Sequence, residues 1–102
     1  MSMLHIVNKS PFERNSLESC LKTSKDGSSV LLIEDGVVGA IKDSSVAGLL
    51  TSAVSSKDVY VLDEDLSARG FNKENLVEGI KTVNYAGFVE LTVKNDNVQS
   101  WL

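Results

Sequence analysis

Three features of the sequence could take part in chemistry: a single cysteine, a single histidine and two acidic clusters. Cys20 is the only cysteine among the 102 residues. A reactive thiol needs a lowered pKa, which a helix N-terminus or a neighbouring positive charge usually provides. Cys20 instead falls toward the C-terminal end of a predicted helix, with Glu18 nearby, and neither feature lowers a thiol pKa. The positive charges of Lys22 and Lys25 offset this only in part. The local pattern therefore leaves two interpretations open, a packing residue or a thiol that exchanges sulfur.

His5 is the only histidine, and it lies inside the apolar stretch LHIVN, residues 4–8. No nucleophile is spaced beside it in the sequence. A histidine in an apolar strand is more often a hydrogen-bonded core or interface residue than a general base. We therefore expect no catalytic role for His5; if it acts at all, it orients a group at an interface.

The two acidic clusters, residues 34–35 and 63–65, close the second and third predicted strands. The carboxyl ends of parallel strands meet at one edge of a sheet and often carry binding sites, so a cation or a basic partner could bind there. The spacing does not fit a calcium-binding EF-hand loop, and the acids could equally cap helices. We favour capping or partner contact over a metal site, and we expect Arg69 to pair with the acids at 63–65.

Other catalytic and cofactor motifs are missing from the sequence. One cysteine and one histidine cannot supply the usual four ligands of a zinc site. The segment EDGVVGA, residues 34–40, matches neither of the common phosphate-binding glycine loops, and no G-x-S-x-G motif occurs. We therefore predict no metal and no cofactor.

Strand and helix patterns alternate along the chain. LHIVN predicts a strand, and Ser10 with Pro11 and Glu13 predicts the start of a helix that runs to about Ser24. A strand buried on both faces is predicted at 29–35, followed by a helical region from 37 that is firm at 44–55. A strand follows at 58–65, then a helical turn at 66–70 that Gly70 ends, and a loop or broken helix at 71–78. The last predicted elements are a short strand at 79–84, a segment of near-helical spacing at 85–95 and an edge strand at 98–102. This order predicts a single small α/β domain over residues 1–102, with a mostly parallel sheet flanked by helices.

Composition restricts the partners and the compartment. The formal net charge of −4 argues against direct contact with nucleic acid, which needs clustered Lys and Arg. A single cysteine forms no internal disulfide, which favours a reducing compartment. The apolar start is shorter than a signal-peptide core, and no run approaches the roughly 20 apolar residues of a membrane span. We therefore expect a cytoplasmic protein with no membrane contact.

Four stretches together resemble one family across essentially the whole chain. They are LHIVNKSPFERN, LLIEDGVVGAI, VYVLDEDLSARG and YAGFVELTVKN with the ending QSWL. In this order they resemble the TusB/DsrH family of sulfur-relay proteins. The resemblance implies a DsrE-like α/β fold and a non-enzymatic subunit of a heterohexamer with DsrE/TusD-like and DsrF/TusC-like subunits.

The resemblance also implies a function in passing persulfide sulfur toward a downstream acceptor protein. The principal persulfide cysteine of such assemblies belongs to the DsrE/TusD-like subunit. A cysteine in the context SPFERNSLESCL is typical of DsrH-type chains, which favours the DsrH branch, intracellular sulfur oxidation, with Cys20 as an auxiliary persulfide carrier. The alternatives are a TusB-type subunit for 2-thiolation of the tRNA wobble uridine, or a scaffold subunit that carries no sulfur.

Overall fold

Strands and helices alternate through the computed structural model, which describes residues 3–10 and 16–101. The strands are β1 (Met3–Val7), β2 (Ser29–Leu32), β3 (Asp58–Leu62), β4 (Lys81–Val83) and β5 (Asn97–Trp101). The α-helices are α1 (Ser16–Thr23), α2 (Ala47–Ala53), α3 (Asp63–Ala68) and α4 (Tyr85–Lys94). Two 3-10 helices cover Glu34–Ala40 and Lys73–Asn75.

The five strands form one sheet in the order β4-β3-β2-β1-β5, and every neighbouring pair is parallel. This confirms the predicted α/β fold with a parallel sheet, and it confirms the last segment as an edge strand. The connections from β1 through β4 each step one strand in the same direction, whereas the connection from β4 returns across the sheet to β5. Because parallel crossovers are right-handed, α1, α2 and α3 lie on one face and α4 on the other.

The larger core lies on the face that carries α1, α2 and α3. Leu17, Leu50 and Leu66, one from each helix, belong to one buried cluster with Val30 and Val61 of the sheet. Residues 30–32 of β2 are fully buried. The uninterrupted apolar run therefore does mark a strand covered on both faces.

The smaller core lies under α4, which alone covers the opposite face among the described elements. Leu91 of α4 packs with Leu4, Ile6 and Leu31 of the central strands. The helix begins at Asn84, whose side-chain oxygen accepts a hydrogen bond from Gly87 N at 2.9 Å, a standard N-cap. The poor helix propensity of α4, which is due to Val and Thr, is thus offset by the N-cap and by burial of the side of the helix that faces the sheet.

Several boundaries differ from the sequence-based prediction. β2 ends at Leu32 rather than residue 35, because the chain turns into a 3-10 helix at Glu34, whose φ is 49°. The acids at 63–65 form the first turn of α3 rather than the end of β3. Gly70 takes φ 81° just beyond α3, as predicted for its C-terminal position. The predicted helix start at Pro11 and Glu13 lies outside the described residues.

None of the described helices combines the length and the apolar character needed to cross a membrane.

Candidate functional site

The two acidic clusters do meet at the carboxyl edge of the sheet. Glu34 N donates a hydrogen bond to Asp65 Oδ2 at 2.6 Å, across 31 residues of sequence. Glu64 Oε2 accepts a hydrogen bond from Tyr85 N at 3.2 Å. Each carboxylate thus binds the first backbone N–H of a helix, which favours the capping interpretation, although the capped helices belong to other parts of the chain.

Arg69 joins the two clusters in a different way from the predicted pairing. Its Nη2 and Nε atoms lie 3.0 and 3.2 Å from Asp35 Oδ1, while Nη1 donates to the backbone oxygen of Asp65 at 3.2 Å. The prediction that Arg69 pairs with the carboxylates at 63–65 was therefore wrong. The 3-10 helix, which the sequence pattern did not resolve, brings Asp35 over α3 instead. Within residues 3–10 and 16–101, no group of three or more His, Cys, Asp or Glu side chains is placed to hold a metal ion.

Cys20 lies in the larger core with no exposed surface. Leu17 is buried in the same cluster, as their shared helix face predicted. Burial raises the pKa of the Cys20 thiol to about 12, and the positive charge of Lys57 opposes this only in part. In this conformation the thiol is protonated and inaccessible, which is the behaviour of a packing residue. Transfer of sulfur through Cys20 stays a prediction.

His5 is 4% exposed and is held by Trp101, the only tryptophan of the chain. Trp101 Nε1 donates to His5 Nδ1 at 3.0 Å, across 96 residues of sequence. Burial lowers the pKa of His5 below 6.5, and the charge of Lys57 adds to this effect. The imidazole is therefore neutral near pH 7, and its proton is on Nε2 because Nδ1 is the acceptor. The interpretation of His5 as a hydrogen-bonded core residue is confirmed.

A pocket of about 480 Å³ lies beside His5 at the amino edge of the sheet. We call it the His5 pocket. It is bounded by β1, by β5 and by the C-terminal end of α1 with the loop that follows it. Its lining residues are Met3, His5, Thr23, Ser24, Lys25, Asp26, Gly27, Ser28, Asn97, Gln99 and Trp101.

Lys57 is a buried charged residue of this region that sequence reasoning missed. Its side chain is 8% exposed, and Nζ lies 3.8 Å from Oδ1 of Asp26, which is 85% exposed. The field of this ammonium reaches both His5 and Cys20, since it lowers the pKa of each. Nothing in the segment SSKDV predicts burial of Lys57. Only the pairing of β3 beside β2 places it there.

A second, wider pocket of about 560 Å³ lies at the carboxyl edge. It is lined by Ser10, Asp35, Val38, Ile41, Asp43, Ser44 and Phe71. A pocket thus lies at each end of the strands.

Comparison with known proteins identifies the family. The family model described as DsrH like protein matches residues 9–98. The chain belongs to the TusB/DsrH family of sulfur-relay proteins. It is 39% identical to Protein TusB of Buchnera aphidicola subsp. Acyrthosiphon pisum over 97% of this chain and 100% of that protein. Protein TusB of Cronobacter sakazakii is 32% identical with the same coverage.

Solved structures agree with the fold of this TusB/DsrH chain. The crystal structure of the ychN protein from E. coli matches with a TM-score of 0.76 and 18% identity, covering 99% of this chain and 100% of that chain. MTH1491 from Methanobacterium thermoautotrophicum matches with a TM-score of 0.73 and 16% identity, covering 96% and 97%. The predicted α/β fold with a parallel sheet is therefore confirmed.

The comparisons also bear on the branch within the TusB/DsrH family. The curated relatives named above are called TusB, while the family model carries the DsrH name. The branch predicted from the context of Cys20, DsrH-type sulfur oxidation, is not confirmed. The TusB-type alternative fits the relatives better.

Proposed function

We propose that this chain is a TusB-type accessory subunit of a cytoplasmic sulfur relay that leads to 2-thiolation of the tRNA wobble uridine. The observation that carries the proposal is similarity over 100% of the length of two proteins named TusB, at 39% and 32% identity. DsrH-type sulfur oxidation is the second candidate, and the context of Cys20 favours it. In either branch the chain acts through other proteins, and its net charge of −4 suits a subunit that does not bind RNA itself.

The burial of Cys20 supports an accessory role. A thiol with no exposed surface and a pKa of about 12 supplies almost no thiolate at neutral pH, and only the thiolate attacks a persulfide. The persulfide would then be held by a cysteine of a DsrE/TusD-like partner. Transfer through Cys20 would require α1 to open first.

An exposed apolar stripe on α4 supports assembly with other subunits. Tyr85, Val89 and Val93 recur every four residues on the outer side of α4, and they are 57%, 60% and 79% exposed. We call these three residues the α4 stripe. A run of aligned apolar side chains on a helix surface is typical of a protein interface. We propose that DsrE/TusD-like and DsrF/TusC-like subunits cover this face.

The test is complementation of a bacterial strain that lacks its own TusB. We expect this chain to restore 2-thiouridine in tRNA, measured by mass spectrometry of digested nucleosides, and we expect Cys20→Ala to restore it equally. A chain that fails to restore thiolation but restores oxidation of stored sulfur in a strain lacking DsrH would overturn the TusB assignment.

A separate experiment tests the role of Cys20. The assembled complex is incubated with a low-molecular-weight persulfide, and the peptide containing Cys20 is analysed by mass spectrometry. We expect no added sulfur on Cys20 while the partner's cysteine gains one. Sulfur on Cys20 would contradict the purely accessory role and favour the carrier role.

A further inference from the structure

We propose that the His5 pocket and the free edge of β5 together bind an extended peptide segment of another protein, with an aspartate or glutamate side chain of that segment in the pocket. This site lies on the sheet edge and on the face opposite to α4. It does not depend on the sulfur-relay role proposed above.

The edge of β5 is suited to strand addition. Among residues 3–10 and 16–101, β5 is the outermost strand and pairs with β1 on one side only. Four of its five residues are exposed, and the segment NVQSW contains no proline and no charged residue. Natural edge strands are usually protected by such residues, or by being very short, as β4 is at the other edge with three residues and Lys81. An edge left unprotected is available to an extended peptide.

The pocket lies where the side chains of an added strand would reach. Asn97, Gln99 and Trp101 are alternate residues of β5, and all three line the His5 pocket. Alternate residues of a strand point to the same face of a sheet. A peptide paired with β5 would therefore place every second side chain on the pocket face, beside these three residues.

The polar groups of the pocket favour a carboxylate. Because Nδ1 of His5 accepts from Trp101, Nε2 carries the ring proton and is the donor that His5 can offer. Ser24 Oγ is buried and lacks a hydrogen-bond partner among the described residues. The lining also includes the exposed Lys25 and a single carboxylate, that of the exposed Asp26. A carboxylate can accept hydrogen bonds from hydroxyl, imidazole and ammonium groups together.

The buried ammonium of Lys57 adds to this preference. Its side chain is 8% exposed, yet its carboxylate partner Asp26, which lines the pocket, is 3.8 Å away and mostly in solvent. A buried charge with so loose a partner gains from a second anion nearby. A carboxylate in the pocket would supply that anion.

The test uses the peptide acetyl-Thr-Val-Glu-Val-Thr-amide as the probe, titrated into the purified chain and followed by NMR. We expect saturable shifts of the His5 and Trp101 signals and increased hydrogen-exchange protection of amides in β5. Replacing Glu by Gln in the peptide should weaken binding about tenfold, because a charge-assisted hydrogen bond is lost. N-methylation of alternate peptide amides should weaken it at least as much, because strand pairing is blocked.

Two protein variants complete the test. Lys57→Met removes the charge but keeps a similar side-chain shape. It should weaken binding of the Glu peptide about fivefold and leave binding of the Gln peptide unchanged. Lys22→Met is the matched control, since Lys22 is exposed and pairs with Glu18 on the outside of α1; it should change neither affinity. Unchanged binding of the Gln peptide also shows that Lys57→Met is folded.

Two results would overturn the proposal. The first is no binding of the Glu peptide at millimolar concentration. The second is equal binding of glutarate or of the N-methylated peptide, which would identify a pocket for small acids that does not use the strand edge.

Discussion

At the scale of single residues, the hydrogen bond between Trp101 and His5 determines how this histidine titrates. The bond occupies Nδ1, so protonation of His5 in the folded chain has to break it. Burial and Lys57 oppose protonation as well. The unfolded chain has none of these restraints and takes up the proton at the ordinary pKa near 6.5.

We therefore predict that the free energy of unfolding falls as the pH drops through about 6.5, by at most about 1.4 kcal/mol per pH unit from this group. The sign follows from the lowered folded-state pKa, because the unfolded chain binds more protons in this range. Urea unfolding at several values between about pH 5 and pH 7 measures it. In His5→Gln this part of the slope should disappear, and an identical slope in both proteins would contradict the prediction.

Cys20 gives a second prediction at this scale. Relative to a free thiol with a pKa of 9.0, the raised value of about 12 lowers the thiolate fraction near neutral pH by about a thousandfold. Iodoacetamide should therefore label Cys20 much more slowly in the native chain than in urea. Labelling at equal rates would show that α1 opens readily.

Substitutions of Cys20 separate packing from chemistry. Cys20→Ala should cost about 1–2 kcal/mol of stability, because it leaves a small cavity. Cys20→Ser should cost more, because it buries a hydroxyl among apolar side chains. The alanine variant is therefore the better control for experiments on sulfur transfer.

At the scale of elements, the sequence predicted the type and the order of the helices and strands well, but it predicted the contacts where they meet poorly. Local signals such as the apolar run at 30–32, Gly70 and the spacing in α4 were sufficient to predict the elements to which they belong. Asp65 binding Glu34 N and Arg69 binding Asp35 were not predictable, because each joins segments more than 30 residues apart. The same holds for His5 with Trp101, and for Lys57, since register and strand order determine both.

Gly36 sits at one of these junctions, where the 3-10 helix passes close to the end of β1. A Cβ at this position would lie 2.4 Å from the backbone oxygen of Val7. Gly36→Ala should therefore destabilise the chain by about 2 kcal/mol or more, since backbone has to move.

Gly48→Ala is the matched control. Gly48 lies in α2 with nothing within 4 Å of the added Cβ, so this variant should be stabilised by about 0.5–1 kcal/mol. Thermal or urea unfolding compares the two. Equal effects at both glycines would show that the contact with Val7 is not tight.

At the scale of the whole molecule, the two faces of the sheet are covered unequally. Among the described elements, α1, α2 and α3 shield one face and α4 alone shields the other, and α4 exposes Tyr85, Val89 and Val93. The sequence pattern alone did not locate this apolar surface on α4. The location follows from the return of the chain from β4 to β5.

We predict that the double variant Val89→Glu with Val93→Glu abolishes co-purification with the DsrE/TusD-like and DsrF/TusC-like subunits. Its own unfolding midpoint should change little, because both side chains are mostly exposed. Glu90→Lys, an exposed charge change on the same helix, should leave co-purification intact. Normal assembly of the double variant would show that the α4 stripe is not the interface.

The position of β5 also has a consequence for how the chain is made. β1 leaves the ribosome before the other four strands, yet its outer edge receives β5 only after the strands between them have been synthesised, and the Trp101 to His5 bond cannot form until β5 has been made. Until then β1 presents an open edge to other nascent chains. Because Trp101 is the sole tryptophan, its intrinsic fluorescence reports the closing of that edge directly, and a slow phase in fluorescence after circular dichroism has levelled would reveal the delay.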